Sequence, residues 1–227
     1  MKLVFFGALM LLFLPISTVE AVTFVDLGTA APTSIVGDCS VQAFDQTPQY
    51  AIPNYTNVYV INGNPLGTGD LAASTSLSKR SIGSGSGWTS WSNGYSGAVY
   101  SYTGNIFTLT LPANTGAFYL YIQPSSGIAT FTVSTDSGVS GYATVLSSTG
   151  ANGFGFCGDL GETIAYVTIA IPSPPGTFAI GEFGIGNIRV PAPTAQAIPT
   201  LSEWTQLLLA LMTIMLVGWH FHRERSY

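Results

Sequence analysis

The chain has 227 residues, of which only 7% are charged, with 11 acidic against 6 basic side chains. Hydrophobic residues make up 47% and aromatic residues 12%, which is too rich in core formers for a disordered polymer. Between the two terminal segments the only cations are Lys79, Arg80 and Arg189; without a basic footprint, no nucleic-acid partner is expected.

The N-terminus places Lys2 before an apolar run from Leu3 to Ile16, then turns small and polar. Val19-Glu20-Ala21 presents residues of the kind a signal peptidase reads. Residues 1–21 are therefore expected to be a secretory signal peptide, removed after Ala21. The run is short for an uncleaved membrane span.

Residues 22–190 carry the domain, and period-2 patterns dominate them. Strands are predicted over 23–27, 57–61, 98–102, 106–111, 118–122, 129–134, 143–146, 164–171 and 185–190. Turn signals separate them, among them Asn62-Gly63-Asn64-Pro65, Asn93-Gly94 and Asp136-Ser137-Gly138. No amphipathic helical stretch stands out. The expected fold is all-β: a two-sheet antiparallel sandwich of jelly-roll type.

Ser74 to Ser96 reads as a long Gly/Ser-rich loop, with Lys79-Arg80 as a solvated pair within it. The loop displays Trp88, Trp91 and Tyr95. Exposed, these rings would stack on sugars; folded back, they would form a lid on the sandwich. Both readings stand at this point.

Cys39 and Cys157 are the only cysteines, and in an exported chain a structural disulfide is favoured over two free thiols. The only histidines, His220 and His222, sit near the C-terminus. The domain therefore has no base for Ser-His-Asp or Cys-His chemistry and lacks the commonest zinc ligand. Asp159 and Glu162 are a close pair of carboxylates, as glycoside hydrolysis would need, but flanking Gly158 and Gly161 favour turn chemistry. Gly158-Asp159-Leu160-Gly161-Glu162 is too sparse in oxygens for a calcium loop. No catalytic residue, metal or cofactor is expected.

Pro191 to Ala197 is a Pro/Ala-rich spacer. After it stand Ile198-Pro199-Thr200-Leu201-Ser202-Glu203-Trp204, an apolar run from Leu207 to Phe221, and Arg223 and Arg225. Thr200 and Glu203 have capping-box spacing, and Pro199 can staple onto Trp204. The apolar run alone reaches about 22 Å, short of a hydrocarbon core of about 30 Å. Started from Trp204, a transmembrane helix is feasible, with Trp204 and Trp219 at the interfaces and the arginines in the cytoplasm.

Residues 198–227 resemble the IPTL-CTERM sorting signal, a relative of the PEP-CTERM signals of Gram-negative bacteria: a short motif, one transmembrane helix and a basic end. That resemblance implies an exosortase-type sorting enzyme that cuts near the motif, an inner-membrane intermediate, and delivery to the outer surface or extracellular matrix. The family has Gly after the Trp, where Thr205 stands here. Two strings, Ala117 to Ile122 and Phe178 to Gly186, resemble strands of β-sandwich ectodomains in PEP-CTERM-like proteins. The leading expectation is an exported structural or adhesive surface protein without enzymatic activity. The alternatives are a carbohydrate-binding module, with extracellular polysaccharide as partner, and a secreted glycosidase.

Overall fold

The computed structural model describes residues 22–83, 85, 88–171, 176–190, 205–206 and 208–216. The expected signal peptide, the spacer and the motif Ile198 to Trp204 lie outside the described residues.

In chain order the strands begin with β1 (Val22–Gly28), β2 (Ile35–Val36), β3 (Cys39–Ser40) and β4 (Gln42–Ala43). A single-turn helix, α1 (Thr47–Tyr50), precedes β5 (Asn57–Ile61) and β6 (Leu71–Ser81). Then come β7 (Ala98–Gly104), β8 (Ile106–Thr110), β9 (Thr115–Pro124), β10 (Ile128–Thr135) and β11 (Ser140–Leu146). The domain closes with β12 (Asn152–Gly158), β13 (Tyr166–Ala170) and β14 (Gly176–Asn187).

Every pairing among these strands is antiparallel, and the main sheet runs β1-β12-β9-β14-β7-β6-β8-β13-β10-β11. The expected antiparallel β-architecture is thus present. Its two layers, however, are one sheet folded over, not two separate sheets. β6 is the hinge: its end at 78–81 pairs with β7, and Ala72 and Ala73 near its start pair with β8. The two ends of the path approach each other, since the Phe24 ring of β1 fills the space where Gly141 of β11 would carry a Cβ.

Between the layers lies one apolar core. β9 sends in Phe118, Leu120 and Ile122, β12 sends in Phe154 and Phe156, and the opposite layer contributes Phe107, Leu109, Phe131 and Val133. Phe178 of β14 ties the layers together, 5.1 Å from the Phe131 ring and 5.9 Å from the Phe107 ring. Each such ring stabilises the fold by about 1.5–3 kcal/mol relative to exposure.

The outer faces of the two halves differ. The β1-β12-β9-β14 half is covered by the β2–β3 hairpin and, among the described residues, by Ile82, Trp88, Trp91 and Tyr95, so every residue of β9 is buried. The β8-β13-β10-β11 half shows clean alternation, with buried Phe107, Leu109, Phe131, Val133, Val167 and Ile169 and exposed or half-buried residues between them. That face is bare.

Several strands depart from the sequence reading: β14, expected over 185–190, runs from Gly176 to Asn187, and β2, β3 and β4 were not expected. Leu71–Ser81 was expected to run into a loop from Ser74, but it is an eleven-residue strand. Its Ala/Ser content has weak β preference, and pairing with β5, β7 and β8 overrides it. Lys79 is accordingly not solvated: it is 3% exposed, and its Nζ donates to Asn54 Oδ1 at 3.1 Å and Ser81 Oγ at 2.9 Å. Burial lowers its affinity for a proton. Arg80 lies over the Tyr55 ring, 3.7 Å from its centroid. Asn152–Gly158, which the sequence reading left outside every predicted strand, is a central strand. Its glycines let a covering layer approach: a Cβ at Gly155 would press on Val36, and one at Gly153 on Tyr121 and Leu27.

The chain divides into a unit ending at Val190 and a second comprising residues 191–227. In the second unit the described residues from 205 to 216 are helical. Leu208, Leu209, Leu211, Met212, Ile214, Met215 and Leu216 are all exposed on it. Among the described residues no helix is long and apolar enough to cross a membrane, so the expected transmembrane span is not seen there.

Candidate functional site

The two cysteines and the three loop aromatics singled out by the sequence gather on the covered face. Cys39 of β3 and Cys157 of β12 form a disulfide with Cα atoms 5.7 Å apart. The bond staples the β2–β3 hairpin over the sheet, where Val36 and Val41 pack with Ala117, Tyr119 and Tyr121.

Next to this staple lies the aromatic loop. Trp88 is only 6% exposed and packs on Val99 of β7 and Ala179 of β14. Its Nε1 donates to Gln123 Oε1 at 3.3 Å, and Gln123 Nε2 in turn donates to the Ser147 carbonyl at 2.7 Å. Trp91 and Tyr95 are half-buried, with ring centroids 6.1 Å apart. Tyr95 Oη donates to the Ala98 carbonyl at 2.9 Å, while Gln46 Oε1 accepts from the Ala98 N–H at 3.0 Å. The loop therefore turns its rings inward, and Trp88 offers no open face to a sugar. The physical cause is the small outward surface of β7 and β14, where Val99, Ala179 and Gly181 leave seats for large rings.

Beneath Trp91 lies Glu182, which the sequence reading did not single out. It sits where the pairing of β14 with β9 slips between Gly181 and Gly184, at φ 52°. This left-handed conformation in a non-glycine residue is one that surrounding structure must enforce. Glu182 is 7% exposed, and its Oε2 accepts from Trp91 Nε1 at 3.0 Å and Asn93 Nδ2 at 3.3 Å. Burial pushes its carboxyl up to about 7, against the opposing pull of the Asn93 and Trp91 hydrogen bonds. Half-buried Tyr95 and buried Tyr119 and Tyr121 have their phenols raised mainly by desolvation. A signal for Glu182 was available: it is a lone carboxylate inside an apolar, glycine-rich string, 178–186, in a chain poor in charge.

Asp26 Oδ1 and Asp45 Oδ1 each accept from the backbone N–H two residues on, at 2.9 Å, as turn residues do. Glu162 N–H donates to the Asp159 carbonyl at 3.1 Å, and Asp136 Oδ2 accepts from the Ala165 N–H at 3.1 Å. Among the described residues no three His, Cys, Asp or Glu side chains converge as a metal site would need. Two shallow grooves flank the covered face. One of about 310 Å³ runs past Asp38, Gln42, Asn187 and Arg189. The other, of about 210 Å³, is lined by Trp88, Ser90, Gln123 and Ser147.

Neither a protein-family model nor a curated protein matches the chain. Among solved structures, it is similar to the family 11 carbohydrate-binding module from Clostridium thermocellum in complex with a β-1,3-1,4-mixed-linked tetrasaccharide. It is similar also to the family 11 module of a cellulosomal cellulase from the same bacterium. Both share 13% identity at a TM-score of 0.31, over 66% of this chain and 98% and 96% of theirs. A likeness of that extent assigns neither ligand nor family.

Proposed function

We propose that this chain is an exported, non-catalytic β-module displayed at the cell surface by way of its C-terminal sorting segment. The observation that carries the reading is the Cys39–Cys157 disulfide, which bridges 118 positions of sequence and belongs to an oxidising compartment. The second unit supports it with a helix whose leucines, methionines and Ile214 are exposed, a surface that favours an apolar surrounding. The signal-like residues 1–21 and the IPTL-type residues 198–204 supply the matching address at each end. In this reading signal peptidase removes the first segment, an exosortase-type enzyme processes the second, and the module reaches the outer surface or the matrix. A non-catalytic role is supported by a domain sequence without histidine and by Trp88 and Trp91, whose indole N–H groups hold their loop to the sheet.

The test is mass spectrometry of both chain ends after cell fractionation. The expected product begins at Val22 and ends close to Pro199 or Thr200, in the surface or medium fraction. A product that keeps residues 204–227 in the inner membrane would make the chain a plain anchored protein and sink the sorting reading.

A further inference from the structure

The bare face of the β8-β13-β10-β11 half carries a pattern of its own. The pairing register places Ser140, Ser134, Thr168 and Thr108 side by side across four strands. The next row reads Tyr142, Thr132, Ala170 and Ile106. Thr144 stands opposite Thr130, Leu146 opposite Ile128, and Tyr166 opposite Thr110. None of these outward positions carries a charge, although the chain is acidic, with a net charge of -5. The nearest carboxylate in sequence, Asp136, lies in the turn after β10, where its Oδ2 accepts from the Ala165 N–H at 3.1 Å. β11 ends the strand path and presents neither the Lys nor the Pro that usually guards an edge.

The hydroxyls on this face are organised. Thr108 and Thr168 bring their Oγ1 atoms to 3.0 Å, and Thr130 and Thr144 bring theirs to 2.9 Å. One hydroxyl of each pair donates to the other, so every pair keeps an unused O–H proton and free lone pairs for an outside partner. Beside them Tyr142 is 75% exposed and Tyr166 42%. With strands about 4.8 Å apart and residues rising about 3.4 Å, the plate measures about 14 Å by about 20 Å. That is too large for a single sugar and suits a run of them.

We infer that this face docks a neutral polysaccharide. A partner rich in hydroxyls complements hydroxyl pairs that both donate and accept, and the apolar C–H faces of its rings complement exposed tyrosines. A polyanion or a charged lipid surface would find no counter-charge here. The inference rests on the display reading only for its cellular setting, since docking is measured on purified protein and sorting in cells.

The experiment is co-sedimentation of the full chain, purified in mild detergent, with microcrystalline cellulose and with chitin powder; heparin beads serve as the charged control. The expected result is sedimentation with at least one neutral polymer and none with heparin. Thr132→Lys and Tyr142→Ala should each weaken it at least tenfold while the melting temperature holds, and Trp91→Phe should leave it unchanged. Tyr142 lies on an edge strand and is largely in solvent, so its removal keeps the test valid if the lysine variant misfolds. Three outcomes would overturn the inference: no binding to either polymer, binding indifferent to both face variants, or a concentration-dependent dimer abolished by those same variants, which would make a second copy the occupant.

Discussion

Glu182 adopts φ 52° on a strand, between Gly181 and a buried phenylalanine, and still holds a carboxylate under an indole. Its folded-state proton affinity, near pH 7 against an ordinary value of 4.5, sets the sign of a pH effect. The folded state binds the proton more tightly than the unfolded chain. This contribution to stability is therefore fully present below pH 4.5 and is lost as the pH rises to about 7. A shift of that size corresponds to on the order of 1–3 kcal/mol. Denaturant melts at pH 5 and pH 8 should show the wild-type chain losing stability across the interval, and Glu182→Gln should flatten the difference. A Glu182→Gln profile as steep as the wild type would assign the effect elsewhere. At this scale the sequence is least legible. Trp88, Trp91 and Tyr95 are recognisable as rings with work to do, but whether they face sugar or sheet depends on Val99, Ala179 and Gly181, which lie on strands far away in sequence.

The strand over 57–61 was predicted at its observed bounds from its β-branched and aromatic residues. Strands with clean alternation were legible as elements, 106–111 and 129–134 at nearly their observed bounds. Their exposed side chains face water, so the pattern of two survives. β12 and β14 were harder, because both their faces are buried and glycine replaces the polar residue that would have marked the period. Gly186 shows why. A Cβ there would fall on the Ser40 carbonyl oxygen, a backbone atom that cannot swing aside. Gly186→Ala should therefore destabilise the domain by about 1–3 kcal/mol by forcing β3 and β4 off the sheet. The check is a thermal melt beside Gly127→Ala, in a turn with φ 65° and open space around it, where the cost is backbone strain alone. An equal loss in both variants would remove the close-approach argument.

For the molecule as a whole, charge and periodicity placed the chain among all-β domains, while the folding of one sheet over itself depended on β6, whose Ala/Ser sequence hides a strand. The disulfide acts on the same scale. It closes a loop of 118 positions, which in the chain-entropy account is worth about 5 kcal/mol. Reduction, or a Cys39→Ala/Cys157→Ala double variant, should lower unfolding free energy by roughly that amount in urea titrations. A change under about 1 kcal/mol would mean that the staple is idle. The same bond has a consequence for proteolysis. Every turn between β3 and β12, such as those at Gly127 and Gly138, falls inside the closed loop. A protease that cuts one of them severs the backbone without dividing the molecule: both pieces stay joined through sulfur and stay woven into one sheet. Such a chain outlasts its first wounds.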